Sequence, residues 1–172
     1  VRVHDVIAEE AVAMVQTGKV EFAISFDPGK FDDLNFETLF NDELLAVYPE
    51  DHELVQKGEL TWQQLSQYPF IALQRPSSIR MLMENTLAEQ ELFLQVKYES
   101  NQLATVMQMV ANKLGVSAIP SLCKQQIQVL KLKHSPLTSP AISRRVGIIT
   151  RRRYSLSRSA QVFVELLRQH YR

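Results

Sequence analysis

The segment Glu99–Pro120 limits the possible folds more than any other part of the chain. It has the pattern of a polar helix cap, an amphipathic helix, a glycine and a short buried strand. Ser100 or Asn101 can accept a hydrogen bond from the first backbone N–H groups of this helix. Gly115 is predicted to be the left-handed residue that ends it, before a strand at Val116–Ile119. The buried face of the helix is read from apolar residues at helical spacing: Leu103, Val106, Met107, Val110 and Leu114.

The start of this central helix is a candidate position for binding a small anion. Unpaired N–H groups and the helix dipole both favour negative charge at a helix N-terminus. The segment contains no group that performs chemistry, so the pattern predicts binding without catalysis.

Composition limits the class of protein. The 172 residues are 45% hydrophobic and 22% charged, as is usual for a globular protein. Nineteen basic and nineteen acidic residues give zero formal net charge, whereas a chain that binds DNA by itself normally has a basic surplus. No apolar run approaches the ~18 residues of a membrane span, and no signal peptide opens the chain. Cys123 is the single cysteine, which excludes an internal disulfide and predicts a cytoplasmic location.

Strands and helices alternate along the chain, which predicts an α/β fold with largely parallel sheets and ligands at the carboxyl ends of the strands. The predicted helices are Ile7–Thr17, Asp51–Gln56, Ser77–Gln90, the central helix, a short helix carrying Cys123, and a last helix capped by Ser157. The predicted strands are Val1–Asp5, Val20–Phe26, Leu34–Phe40, Glu43–Tyr48, Phe70–Leu73, Leu94–Tyr98, Gln128–Lys133 and Arg145–Thr150, and His134–Pro140 is predicted to be a loop. Because Val1 enters a predicted strand directly and is not Met, we expect the chain to be a fragment.

Five blocks of sequence form an ordered pattern over nearly the whole chain: Thr17–Ile24, Leu39–Leu54, Leu60–Ile71, Gly115–Pro120 and Ser157–Phe163. Together they resemble the effector-binding (regulatory) domain of LysR-type transcriptional regulators. Glu21, Glu53 and Ser117 stand where that family usually has Asp, Pro and Gly. These changes are mild and leave the fold prediction unaltered.

The resemblance implies an α/β, periplasmic-binding-protein-like fold, with two α/β lobes joined by two crossover hinges and a truncated N-terminus. The predicted hinges lie near Asn41–Asp42 and near Thr150–Arg151. Residues 1–42 plus 151–172 would form regulatory lobe I, and residues 43–150 would form regulatory lobe II. The resemblance also implies that a winged helix-turn-helix, and the first strand and helix of lobe I, precede Val1.

The functional expectation comes from the same resemblance. A small effector, expected to be an organic or inorganic anion, binds between the lobes and shifts the geometry of a homodimer or homotetramer to control transcription. DNA contact belongs only to the absent N-terminal domain, and we expect no cofactor, metal, membrane or enzymatic activity. A solute-binding protein of a transporter, with the same two-lobe fold, is the alternative. A two-lobe enzyme is a third interpretation, which lacks a visible catalytic group.

The first set of candidate effector-binding residues follows the predicted Phe70–Leu73 strand: Gln74, Arg75, Ser77 and Ser78. Ser77 or Ser78 can cap the next helix while a ligand carboxylate binds the remaining N–H groups. Arg75 could add a charge-assisted hydrogen bond. For the two serines, simple capping is the competing interpretation.

The second set lies at the start of the central helix, where Asn101 and Gln102 again have capping as the competing interpretation. Thr105 is one turn further along. Phe26 ends a strand of lobe I and faces the cleft in the family arrangement, which makes it a candidate effector contact, and core packing is its competing interpretation.

The remaining reactive residues predict no chemistry. His4, His52, His134 and His170 are dispersed, so no metal site is predicted. His52 is interpreted as a turn cap and Ser117 as a core hydroxyl. Cys123 is interpreted as a small core residue, with redox sensing left open. Arg151–Arg153 could form a nucleic-acid patch, but zero net charge favours an exposed strand end at a hinge.

Overall fold

A computed structural model describes residues 1–171, which form two compact units. The first unit contains Val1–Asp42 and the chain from Arg144 onward, and the second unit contains Glu43–Ser143. In the sequence prediction, the boundaries between the lobes lie at residues 42–43 and 150–151. That the chain forms hinges at these boundaries stays a prediction. Among residues 1–171, no helix has the length and apolar character that crossing a membrane would require.

The α/β class predicted from the sequence is confirmed by the order of elements. The helices are α1 (Ala8–Gln16), α2 (Trp62–Leu65), α3 (Ser78–Ala88), α4 (Leu103–Ala111), α5 (Lys124–Val129) and α6 (Arg158–His170). The strands are β1 (Phe22–Phe26), β2 (Leu34–Tyr48), β3 (Leu60–Thr61), β4 (Phe70–Leu73), β5 (Val96–Ser100), β6 (Ser117–Pro120), β7 (Lys133–Thr138) and β8 (Ser143–Arg151). Short 3₁₀ turns occupy Glu53–Gln56 and Ser121–Cys123.

The first unit is built on β1, β8 and the first part of β2. β1 pairs antiparallel with β8, and β8 neighbours β2. The apolar residues of α1 recur at helical spacing, which turns Val12 and Val15 toward Leu34 and Ile149 to form the core of this unit. Ser157 caps α6 as predicted, because its Oγ accepts a hydrogen bond from the N–H of Ala160 at 3.3 Å.

The second unit has the larger core. The second part of β2 pairs antiparallel with β6 and β7, while β7 pairs parallel with β3, and β4 parallel with β5. Trp62 is fully buried, and its indole N–H donates to the carbonyl of Pro140 at 2.8 Å, so the large ring is buried without an unsatisfied donor.

The prediction of largely parallel sheets is wrong, since antiparallel pairs join β1 to β8 and β2 to both β6 and β7. Two predicted strands, Leu34–Phe40 and Glu43–Tyr48, are one continuous strand, because the polar residues between them do not break the extended backbone. Val1–Asp5 is not a strand in the structure, since none of the described strands pairs with it.

The predicted strand at Gln128–Lys133 is also wrong. Gln128 lies in α5, and Lys131 takes a left-handed φ of 54° in the turn that follows. The strand begins instead at Lys133, inside the predicted loop, and pairs with β2 along Leu45–Tyr48. Pairing with a neighbouring strand therefore outweighs the local Ser and Pro signal for a loop.

Gly115 does not act as the left-handed residue that the sequence predicts. Lys113 takes that conformation, with a φ of 61°, after α4 ends. A Cβ on Gly115 would lie 2.2 Å from the carbonyl oxygen of Pro69. Glycine is needed here because the chain before β6 approaches the backbone before β4, where the N–H of Val116 donates to the Pro69 carbonyl at 2.9 Å.

Candidate functional site

The carboxyl ends of β4 and β5 lie side by side in the second unit, because these two strands are adjacent and parallel. β4 leads into α3, and β5 leads into α4. The N–H of Gln74 donates to the carbonyl of Ser100 at 2.8 Å and holds the two connecting loops together. Two helix N-termini therefore lie at one edge of the sheet, where partial positive charge favours anions.

The two helices are capped differently at this edge. Ser77 caps α3, since its Oγ accepts a hydrogen bond from the N–H of Arg80 at 3.4 Å. Gln102 occupies the cap position of α4, but within the described part of the chain no side chain caps this helix. Ser100 accepts a hydrogen bond from the N–H of Gln102 at 3.3 Å, one residue before the helix begins. The first-turn N–H groups of α4 are therefore open to water or to a ligand.

Most of the predicted binding residues come together at this edge. Ser77 is half-buried, and the exposed members of the set are Gln74, Arg75, Ser78, Asn101, Gln102 and Thr105. Phe26 belongs to the first unit, where the Arg144 guanidinium carbon lies 3.2 Å from the centre of its ring. The ligand role of all these residues stays a prediction.

Arg75 already has a carboxylate partner. Its Nη2 and Nε donate to Oε2 of Glu84 at 2.6 and 3.0 Å. The side chain of Arg75 is nevertheless 68% exposed, so water competes with this ion pair.

Arg80 is the residue of this region that the sequence analysis missed. Its side chain is only 7% exposed, and its Nη1 donates at 2.8 Å both to the carbonyl of Leu73 and to Oε1 of Glu99. Its Nε donates to Oε1 of Glu84 at 2.5 Å. Arg80 thus joins the end of β4 to the end of β5 and fixes the positions of both loops. The available signal was the spacing of four residues between Arg80 and Glu84, which favours an ion pair on a helix.

The charges of this network stabilise one another. Burial disfavours the charged form of Arg80, but its hydrogen bonds to Glu84 and Glu99 outweigh this and raise its pKa. Burial likewise disfavours the charged form of Glu84, yet hydrogen bonds from Arg80 and Arg75 hold its pKa below the ordinary value. Glu84 therefore carries a full negative charge between two arginines at neutral pH.

Two structural interpretations from the sequence are confirmed. The Nδ1 of His52 accepts a hydrogen bond from the N–H of Leu54 at 3.3 Å and caps a turn. Ser117 is buried, and its hydroxyl donates to the carbonyl of Ile71 at 2.7 Å. Cys123 packs at the edge of the cluster that contains Ile119 and Ile127. Among residues 1–171, no three His, Cys, Asp or Glu side chains are grouped so that they could hold a metal ion.

Comparison with known proteins identifies similar chains. A family model described as "LysR substrate binding domain" matches residues 1–172. YbhD of Escherichia coli K12, an HTH-type transcriptional regulator, is 30% identical over 97% of this chain and 53% of its own length. The HTH-type transcriptional regulator CatR of Pseudomonas putida is 31% identical over 82% of this chain and 51% of its own. The chain therefore spans about half the length of these curated relatives.

Solved structures show the same fold. The effector-binding domain of QuiR in complex with shikimate has a TM-score of 0.80 at 18% identity, over 95% of this chain and 77% of that one. The regulatory domain of CcmR from Synechocystis PCC6803, in complex with 2-PG, has a TM-score of 0.80 at 20% identity, over 95% of this chain and 79% of that one. HinK, a LysR family transcriptional regulator from Pseudomonas aeruginosa, has a TM-score of 0.84 at 20% identity, over 99% and 59%. These similarities confirm the predicted periplasmic-binding-protein-like fold class.

Proposed function

Because the chain belongs to the LysR substrate-binding domain family, we propose that it is the effector-sensing part of a LysR-type transcription regulator. In this proposal a small organic anion binds at the edge formed by the carboxyl ends of β4 and β5. DNA contact belongs to a separate helix-turn-helix part of the regulator, which acts in the cytoplasm as a homodimer or homotetramer.

The observation that carries this proposal is the meeting of two helix N-termini. The hydrogen bond between Gln74 and Ser100 holds the starts of α3 and α4 together, and α4 has uncapped N–H groups. A carboxylate could accept hydrogen bonds from this N-terminus and from the hydroxyl of Ser78 or Thr105, both of which are exposed. The amides of Gln74 and Asn101 would then contact the polar part of the ligand.

Arg75 can contribute to binding by exchanging partners. Glu84 forms ion pairs with both Arg75 and Arg80, and of these two arginines Arg80 has the buried side chain. If Arg75 leaves Glu84 for a ligand carboxylate, Glu84 keeps its charge compensated by Arg80. The exposed ion pair of Arg75 is worth little in water, so the exchange costs about 1 kcal/mol or less.

A ligand at this edge controls the regulator through its preference for one conformation. A ligand that binds one of two conformations more tightly shifts the population toward it. We expect the favoured conformation to change the assembly that holds the DNA-binding parts. No observation favours the transporter alternative, and the curated relatives reported above are named as transcriptional regulators.

A thermal-shift screen of the chain against small carboxylates, amino acids and inorganic anions tests the binding step. A ligand at a hundred times its Kd should raise the melting temperature by roughly 5–10 °C, since it binds only the folded state. Replacing Ser77 and Ser78 together by Ala, or Asn101 by Ala, should abolish most of that shift. A second arm measures whether the same ligand changes promoter binding by the complete gene product.

Ser157→Ala is the matched control. Ser157 caps α6 through a hydrogen bond of the same type as that of Ser77, at 3.3 Å against 3.4 Å, but it lies in the first unit and its hydroxyl also donates to Glu21 at 2.8 Å. Both cap losses should lower stability by about 1 kcal/mol, and only the loss at Ser77 should weaken the ligand. A ligand shift that survives both the Ser77/Ser78 and the Asn101 changes would contradict the proposed site.

A further inference from the structure

The first unit contains a cavity of about 550 Å³ that the proposed effector site does not include. It lies between the start of β2, the end of β8, the loop that follows β8, and α6. Its volume falls within the roughly 300–1,000 Å³ that is usual for small-molecule sites. All of its lining residues belong to the first unit, whereas β4 and β5 belong to the second.

The charges around this cavity do not balance. Four charged side chains line it: Glu37, Arg151, Arg153 and Arg168. Two of them neutralise each other, because Nε and Nη2 of Arg168 donate to the two carboxylate oxygens of Glu37 at 2.7 Å each. The hydrogen bond from Arg168 holds the pKa of Glu37 below its ordinary value, so this pair stays ionised. Among residues 1–171, neither Arg151 nor Arg153 has an ion pair with an acidic side chain, so two positive charges remain uncompensated.

Arg151 is held in place without an acidic partner. Its guanidinium carbon lies 3.9 Å from the centre of the Tyr154 ring, in a cation–π contact. A Cβ on Gly18 would lie 2.8 Å from Nη1 and 3.0 Å from both Cζ and Nη2, so Gly18 packs against the flat face of the group. The Nε is shielded from solvent and has no hydrogen-bond partner in the described part of the chain. The sequence predicts an exposed strand end at Arg151–Arg153, and Arg152 and Arg153 are exposed, whereas the side chain of Arg151 is half-buried.

The rest of the lining is suited to an amphipathic ligand. Phe36, Ile148, Leu156 and Val164 supply apolar surface, while Thr150 and Ser155 supply hydroxyl groups. An arginine fixed by stacking has little orientational freedom left to lose, so binding a carboxylate costs less entropy than it would for a mobile side chain.

We propose that this cavity is a second anion site, which binds an organic carboxylate with a small apolar body. The carboxylate contacts Arg151 and Arg153, and the apolar body packs on Phe36 and Leu156. The site is independent of the effector edge in the second unit, so either one can exist without the other.

Phenylacetate is the probe, and 2-phenylethanol is its uncharged counterpart. Amide chemical shifts of the isotope-labelled chain are followed up to roughly 10 mM ligand, ten times a millimolar Kd. We expect saturable shifts at Thr150, Ser155 and Leu156 with phenylacetate and much weaker shifts with 2-phenylethanol. Arg151→Gln should weaken binding roughly tenfold or more, because a charge-assisted hydrogen bond is lost.

Arg152→Gln is the matched control. Arg152 is the neighbouring arginine, but it does not line the cavity and its Nε donates to Asn35 at 3.3 Å. This change should alter the affinity less than about twofold. Arg153→Gln is a second variant at an exposed cavity residue and should weaken binding even if Arg151→Gln fails to fold.

The outcomes separate this site from the proposed effector site. Shifts confined to residues near Ser77 and Asn101 would overturn the cavity site while supporting the effector edge. The absence of any saturable shift, or equal weakening by Arg151→Gln and Arg152→Gln, would also overturn it. Shifts at the cavity that disappear in Arg151→Gln and persist after the Ser77/Ser78 changes would establish it, whatever binds at the effector edge.

Discussion

Arg80 in the second unit and Arg151 in the first unit are two shielded arginines in opposite electrostatic situations. Arg80 donates to two carboxylates and to a backbone carbonyl. Arg151 packs on an aromatic ring and on a glycine, and no carboxylate among residues 1–171 pairs with it. Arg80 donates from Nε and Nη1 to partners within the protein, whereas Arg151 has no acidic partner among residues 1–171 and its Nε is shielded without an acceptor.

This difference separates a positioning role from a binding role. A buried charge that is fully paired fixes the elements it joins, as Arg80 fixes the ends of β4 and β5. Burying a charge that has no acidic partner costs free energy, so such a charge is stabilised more when it binds an external anion. Substitutions of Arg80 and of Arg151 should therefore differ in their effect on stability and on anion binding.

The largest effect is expected for Arg80→Ala. This change leaves Glu99 and the carbonyl of Leu73 without their donor, and should lower the free energy of unfolding by about 3 kcal/mol. Denaturant unfolding measures it, with Arg75→Ala as the control. Because Arg75 is mostly exposed, that control should lose less than about 1 kcal/mol, and equal losses would contradict a special role for Arg80.

Acid should weaken the same network. The pKa of Glu84 is lowered in the folded state from its ordinary value of 4.5. The stabilisation from its charge is therefore complete above that ordinary value and is lost as the pH falls through the lowered folded pKa. Denaturant unfolding over a series of acidic pH values should give a shallower pH dependence for Glu84→Gln than for the unchanged chain. Parallel curves for the two proteins would contradict the prediction.

A small effect on stability is expected for Arg151→Met. No carboxylate loses its partner, and the lost cation–π contact with Tyr154 contributes about 0.5–1 kcal/mol. The apolar Met side chain can recover part of that by packing. Denaturant unfolding checks this, and a loss as large as that of Arg80→Ala would mean that the two arginines play the same structural role.

The smallest effect is expected for Glu37→Gln, and it sharpens the cavity side of the comparison. This change removes the negative charge of Glu37 from the cavity and releases Arg168 from its bidentate partner, while Nη1 of Arg168 keeps its ion pair with Glu165 at 3.2 Å. Phenylacetate should then bind roughly two- to fivefold more tightly, as for one added charge at a site open to solvent. Titration by chemical shifts gives the affinity, and weaker binding would show that Glu37 organises the cavity.

The sequence predicted local features well where one residue type acts through its nearest neighbours. Ser157 caps the helix it was predicted to cap, Ser77 is the one of the two candidates Ser77 and Ser78 that caps α3, and His52 caps its turn. Each of these contacts joins residues no more than three positions apart, so the spacing along the chain was sufficient.

Features that depend on distant neighbours were predicted less well. Gly115 was expected to end a helix in the left-handed conformation, but it does not adopt a left-handed φ. Glycine is required there because a side chain would collide with the backbone of Pro69. Lys133–Thr138 was placed in a loop because of its Ser and Pro residues, although pairing with β2 makes it a strand. In both cases the deciding partner is far away in the sequence and unknown until the chain is folded.

The sequence by itself determined the α/β class, the family and the set of polar residues that follow β4 and β5. Hydrophobic periodicity, helix caps and ordered sequence blocks carry that information locally. Only the tertiary structure decided the strand directions, the bond between Gln74 and Ser100, and the roles of Arg80 and Arg151. The physical reason is that the energy of an arginine depends on which carboxylates, rings and backbone atoms surround it, and these are brought together only by folding.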